Sequence, residues 1–139
     1  YWKVPVLGTA MKTWEHIPVT SHRLSDEARS SLGVVLESGG ALVVYPEGTR
    51  NVGSEILPFH QGIFRHAARF GAQVVPVHML GAGEIFPRHA PMMSIRSGTI
   101  TVAVDPPWEV RPEEWQATAV DFESIFRSRH EQLMGSAVE

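Results

Sequence analysis

The feature that most restricts the fold of this chain is the apolar run Ala41-Leu42-Val43-Val44 and the turn that breaks out of it, Tyr45-Pro46-Glu47-Gly48-Thr49-Arg50. An uninterrupted apolar run reads as a central strand covered on both faces, which belongs to an α/β sheet with helices on each side. Pro46 has no N–H for a ladder and stops the strand. Gly48 admits a positive φ or a close backbone approach. Ligands of open α/β sheets gather at the carboxyl ends of strands, so the turn is a candidate anchoring site. Arg50 offers a planar donor fork for phosphate or carboxylate, and Glu47 an acceptor for a hydroxyl. On composition alone a second reading stands beside it: Pro at the second position and Gly at the fourth also suit an ordinary type I turn with Glu47 and Arg50 solvated.

The rest of the chain alternates short elements. Residues 17–20 read as a strand, after which Ser25 caps a helix with Asp26 and Glu27 in its first turn. Ala28, Leu32, Val35 and Leu36 form its apolar face, and Gly39-Gly40 ends it. A second helix is expected over residues 61–70, with Ile63, Phe64, Ala67 and Ala68 inward and Gly71 closing it. Residues 74–79 read as a buried strand in which Pro76 demands an edge position or a bulge. A loop over 81–96 follows, then a strand over 99–104 stopped by Pro106-Pro107. Pro112, Glu113 and Glu114 open a terminal helix with Phe122, Ile125, Phe126 and Leu133 as its buried stripe. Trp2, Trp14, Trp108 and Trp115 are expected to pack internally.

Composition narrows the function classes. The 139 residues carry 43% hydrophobic and 19% charged side chains, the balance of a globular protein. A net charge of −3 argues against a nucleic-acid-binding protein. With no cysteine there is neither a disulfide nor a thiolate metal site. The seven histidines form no His-x-His or His-Glu-x-x-His array, so no metal and no cofactor are expected. No apolar run approaches the roughly 20 residues that span a bilayer, and any membrane contact is expected to be peripheral. Phe86, Pro87, Arg88, His89, Met92, Met93 and Arg96 mix apolar and basic groups in a way that suits a membrane interface, an acyl-chain groove or half-buried loop packing.

Tyr45-Pro46-Glu47-Gly48-Thr49-Arg50 resembles the third signature block of the glycerolipid acyltransferases, enzymes that acylate lysophosphatidic acid and related acceptors. Leu57-Pro58-Phe59-His60-Gln61-Gly62-Ile63-Phe64 is similar to the family segment leading into the next helix, and Val74-Val75-Pro76-Val77-His78-Met79 to its fourth block. The resemblance covers roughly residues 1 to 110. It implies an α/β fold with a mixed central sheet flanked by helices, glycerol-phosphate acyltransferase-like, of which residues 1–139 form part.

The family's first block is a catalytic His followed by four residues and an Asp, and no His here has an Asp five positions later. His22 and Glu27 mimic the spacing but lie where the family has its second block. Trp2-Lys3-Val4-Pro5-Val6-Leu7-Gly8 resembles the segment that follows the first block, which implies that the chain begins after the dyad and holds no catalytic residue of its own. The second block is altered: residues 17–19 run into Thr20-Ser21 where the family has Asp-Arg, leaving Arg23 as the substitute arginine. His60 stands where a lysine is frequent. The resemblance therefore implies substrate binding by Glu47, Gly48, Thr49 and Arg50, with Arg23 and His60 as further contacts. It also implies an acyl-CoA or acyl carrier protein donor, a lysophospholipid acceptor, and a place on the cytoplasmic face of a membrane in phospholipid biosynthesis. A non-catalytic lipid-binding remnant and an unrelated phosphate-binding α/β module are the alternatives.

Overall fold

The computed structural model describes residues 17, 25–49, 55–85, 87 and 94–136. The chain divides into two compact units, residues 1–43 and 44–139. In the first, helix α1 spans Asp26–Glu37, and the Ser25 hydroxyl caps it by accepting from the Ala28 N–H. Asp26 and Glu27 sit in the first turn, where the positive helix end favours them. Ala28 and Leu32 are buried, and Val35 and Leu36 half-buried.

The expected central strand over residues 41–45 is not formed: the segment carries no strand, and Val43 is 86% exposed. Among the described residues, backbone bonds flank it, Gly40 N–H to the Val35 carbonyl on one side and Gly48 N–H to the Tyr45 carbonyl on the other. A strand exists only where a neighbour takes up its N–H and C=O groups. An apolar run states that cover is needed without naming what supplies it, and no described residue pairs with this segment. Of the strand expected at 17–20 only Ile17 is described, half-buried. Trp2, Trp14, His22, Arg23, Arg50, Phe86, Arg88, His89, Met92 and Met93 lie outside the described residues.

The second unit follows the expected order closely. Helix α2 spans Gly62–Phe70 and ends at Gly71, whose φ of 61° closes it. Strands β1 (Val77–Leu80) and β2 (Thr101–Val104) pair antiparallel, with Val77 opposite Val104 and Leu80 opposite Thr101. Pro76 interrupts the ladder as expected: Val74 pairs with Trp108 in an isolated bridge, and regular pairing starts only at Val77. β1 is half-buried rather than buried, with His78 and Leu80 inward and Val77 and Met79 outward. The loop expected over 81–96 contains a short helical turn, α3 (Ala82–Ile85).

Helix α4 (Trp115–Ser136) follows the turn that begins at Pro112. Ala119 and Phe122 are buried on it, but Ile125 is 54% exposed, against expectation. The inward stripe is Trp115, Ala119, Phe122 and Phe126, and Ile125 lies about 100° around the helix from Phe126. These residues meet Phe59, Phe64, Ala67, Ala68 and Val110 in one core. Phe122 is its hub, edge-on to Phe64 at 5.1 Å and to Trp108 at 5.5 Å. Trp108 and Trp115 pack against this core, as expected of them.

Candidate functional site

The turn after residue 45 is held by its own backbone. Gly48 N–H donates to the Tyr45 carbonyl at 3.0 Å, with Gly48 at φ 67°, a conformation that costs a side-chain-bearing residue about 1–2 kcal/mol. The segment 56–60 then runs back alongside it. His60 N–H donates to the Pro46 carbonyl at 2.8 Å, and Leu57 N–H donates to Glu47 Oε2 at 2.9 Å. The His60 ring lies against Gly48: a Cβ there would sit 2.8 Å from Nε2. Glu47, Gly48 and His60 are therefore brought together, with Thr49 exposed beside them. Glu47, half-buried, ties two loops to each other, a role its reading as a hydroxyl acceptor did not contain.

Two residues of α4 reach the same segment. Phe59 N–H donates to Glu123 Oε2 at 3.2 Å, and Arg127 Nη1 donates to the Ile56 carbonyl. Arg127 Nη2 and Nε also donate to Glu123 Oε1, at 2.7 and 3.2 Å. The sequence carried one usable signal, a Glu and an Arg four apart on a helix. That spacing predicts the pair and not the loop beneath it.

A second group missed in the sequence is centred on His78. Its side chain is 0% exposed, and Nε2 lies 3.1 Å from Asp105 Oδ2. A carboxylate can only accept, so Nε2 carries the proton. Nδ1 is buried with no partner among the described residues. The ring stacks on Phe126 at 3.9 Å, and Arg129 Nε donates to the other Asp105 oxygen at 3.4 Å. Burial pushes the His78 pKa below its ordinary 6.5, against the opposing pull of Asp105. The His–Asp distance is that of an oriented general base, but a sealed imidazole has no route to a substrate proton. Among the described residues no cluster of His, Asp or Glu is arranged to hold a metal ion.

The chain matches the acyltransferase family model over residues 1–80, a stretch that contains the turn and the segment packed on it. It is 26% identical over 138 residues to a 1-acyl-sn-glycerol-3-phosphate acyltransferase of Chlamydomonas reinhardtii, covering 98% of this chain and 41% of that protein. It is 31% identical over 86 residues to a chloroplastic enzyme of the same name from Brassica napus, covering 60% of this chain and 25% of that one. In fold it is similar to the crystal structure of the LPA acyltransferase PlsC from Thermotoga maritima. That likeness has a TM-score of 0.76 at 20% identity, over 96% of this chain and 53% of the other. The chain thus spans about 41% of the length of the algal relative and about half of the bacterial one.

Proposed function

The chain belongs to the acyltransferase family, and from that premise we propose that it supplies the acceptor-anchoring part of an enzyme moving a fatty acyl chain from a thioester to the hydroxyl of lysophosphatidic acid. The observation that carries this is the turn itself, fixed at Gly48 by a positive φ and braced by Glu47 on Leu57 and Pro46 on His60. Gly48, Thr49 and Arg50 lie against the acceptor, with Arg50 on its phosphate through two parallel N–H donors. Arg23 and His60 complete the headgroup contacts. The donor is acyl-CoA or acyl carrier protein.

The acceptor oxygen attacks the thioester carbonyl, its proton passes to a general base, and the thiol leaves. No His-x4-Asp pair exists within these 139 residues, so the base is assigned to a family-type dyad outside them. Holding the acceptor correctly is a large contribution in its own right, since orientation removes about 7–11 kcal/mol of barrier in ideal cases. Because the acceptor is a membrane lipid, these residues are placed at a membrane surface, with the cytoplasmic face as the side the family resemblance implies.

The test uses the full gene product with acyl-CoA and two acceptors, lysophosphatidate and a monoacylglycerol. Arg50→Lys keeps the charge and loses the fork, so both it and Arg50→Ala should lower kcat/KM for lysophosphatidate by roughly 10–150-fold. The monoacylglycerol rate should barely move. Variants that lose stability but keep phosphate selectivity would make Arg50 a structural turn residue. The alternative, a non-catalytic lipid-binding remnant, predicts saturable lysophosphatidate binding and no turnover.

A further inference from the structure

The segment 56–60 is bound from two sides in alternation. Leu57 N–H and His60 N–H turn to the motif, to Glu47 and Pro46, while the Ile56 carbonyl and Phe59 N–H turn to α4, to Arg127 and Glu123. Four backbone groups within five residues thus find their partners on two elements far apart in the chain. The α4 pair is unlike the exposed pairs elsewhere. Arg127 and Glu123 are 33% and 22% exposed with a closest N···O distance of 2.7 Å, whereas Arg111 and Glu114 are 67% and 56% exposed and 3.8 Å apart. Solvated pairs of the second kind contribute about 0–1 kcal/mol. A pair whose remaining lone pair and N–H are spent on loop backbone fixes geometry as well.

Building on the acceptor role of the turn, we propose that Glu123 and Arg127 are positioning residues for acceptor binding: a clasp on α4 that holds residues 56–59 so that Glu47 and the Gly48 turn stand at a fixed height over the acceptor. Neither residue touches the substrate. Their effect passes through Leu57, whose N–H meets the Glu47 carboxylate between the two clasped positions. Leu57 moves when Ile56 and Phe59 are released, and Glu47 moves with it. The clasp acts on acceptor kinetics and leaves donor binding alone.

The experiment compares the full gene product with Arg127→Ala, Glu123→Gln and the exchanged pair Glu123→Arg/Arg127→Glu, using lysophosphatidate and acyl-CoA as substrates and amide hydrogen exchange at Phe59 as a structural readout. Arg127→Ala should lower kcat/KM for lysophosphatidate by about tenfold, leave KM for acyl-CoA unchanged and speed exchange at Phe59. Glu123→Gln keeps an oxygen for Phe59 N–H while losing the ion pair. It should fall between wild type and Arg127→Ala, and serves if the latter folds poorly. The exchanged pair restores the charges on the helix, but an arginine at 123 cannot accept from Phe59 and a glutamate at 127 cannot donate to Ile56. It should remain impaired.

Full recovery in the exchanged pair would overturn the clasp, leaving an ordinary helix ion pair. Unchanged exchange at Phe59, or equal losses for donor and acceptor, would overturn it as well. Failure of the acceptor assignment looks different: Glu47→Ala would then leave lysophosphatidate kinetics untouched, while faster exchange at Phe59 in Arg127→Ala would still establish the clasp as a structural device.

Discussion

The motif turn and the layer under α4 each hold a histidine, and the two are built from opposite materials. At the turn, exposed His60 leans on a glycine, and the restraints among the described residues are hydrogen bonds made by backbone groups of Gly48, Leu57 and His60. Under α4, His78 is sealed between Phe126 and the Asp105 carboxylate, in a layer continuous with the ring of Phe122. By its 3.1 Å distance to a carboxylate, His78 has the geometry of a catalytic histidine. Judged by access, it cannot be one. Burial with an aromatic lid makes a His–Asp pair into a packing unit, whereas the His60 ring at the turn stays exposed.

The largest effect that could break this division is loss of the aromatic hub. Phe122 is 5% exposed, with Phe64, Trp108 and Phe126 against it. Truncating a buried Phe to Ala costs about 3–5 kcal/mol through lost transfer energy and the cavity left behind. Phe122→Ala should therefore move the urea midpoint of the second unit sharply. The preference of the remaining folded molecules for a phosphate-bearing acceptor should be unchanged. If that preference falls in proportion to stability, the turn and the layer are one cooperative device.

Gly48→Ala should give the reverse pattern with a smaller stability effect. The alanine must take φ 67° and bring its Cβ to 2.8 Å from His60 Nε2. The backbone strain costs about 1–2 kcal/mol, and the crowding can be relieved if the imidazole swings into solvent. We expect a melting temperature lowered by a few degrees and a larger fall in lysophosphatidate kcat/KM. Adding His60→Ala should remove the crowding and leave the strain, so recovery should be partial. Complete recovery would mean that the positive φ is unimportant and only the histidine contact shapes the turn.

The sequence announced the local chemistry of both regions and left out what joins them. Ser25, Gly71, Pro76 and Pro112 each act within a few residues of themselves, and each cap, stop or break stands where its side chain, or for Gly71 the lack of one, requires it. The positive φ available to Gly48 was legible for the same reason. Family and fold class were legible too, because the hexapeptide is a dense combination of rare constraints. Ile125 went wrong because apolar character on a helix does not fix the centre of the buried arc when a neighbour one step around also fits. The Phe59–Glu123 and Ile56–Arg127 bonds span 64 and 71 residues, and His78 to Asp105 spans 27. No local pattern marks contacts at such separations; they are fixed by how α4 lies on the core.

The smallest expected effect, and the one that sharpens the contrast, is the pH dependence of that core. His78 faces Asp105 at the end of β2, with His130 and Arg129 approaching from α4. Desolvation holds its folded pKa below 6.5 despite the carboxylate. In the unfolded chain the ring is solvated and titrates near 6.5, so between the two values the unfolded state binds more protons than the folded one. Stability attributable to this residue is complete above about 6.5 and declines as pH falls below it, with a slope of at most one proton. Denaturation midpoints should therefore drop modestly from about pH 7.5 to about pH 6 in the wild type. His78→Gln retains a donor for Asp105 and removes the titration, so its slope should flatten whatever its baseline stability. An unchanged slope in His78→Gln would show that the sealing of His78 by Phe126 does not set the acid sensitivity of the core.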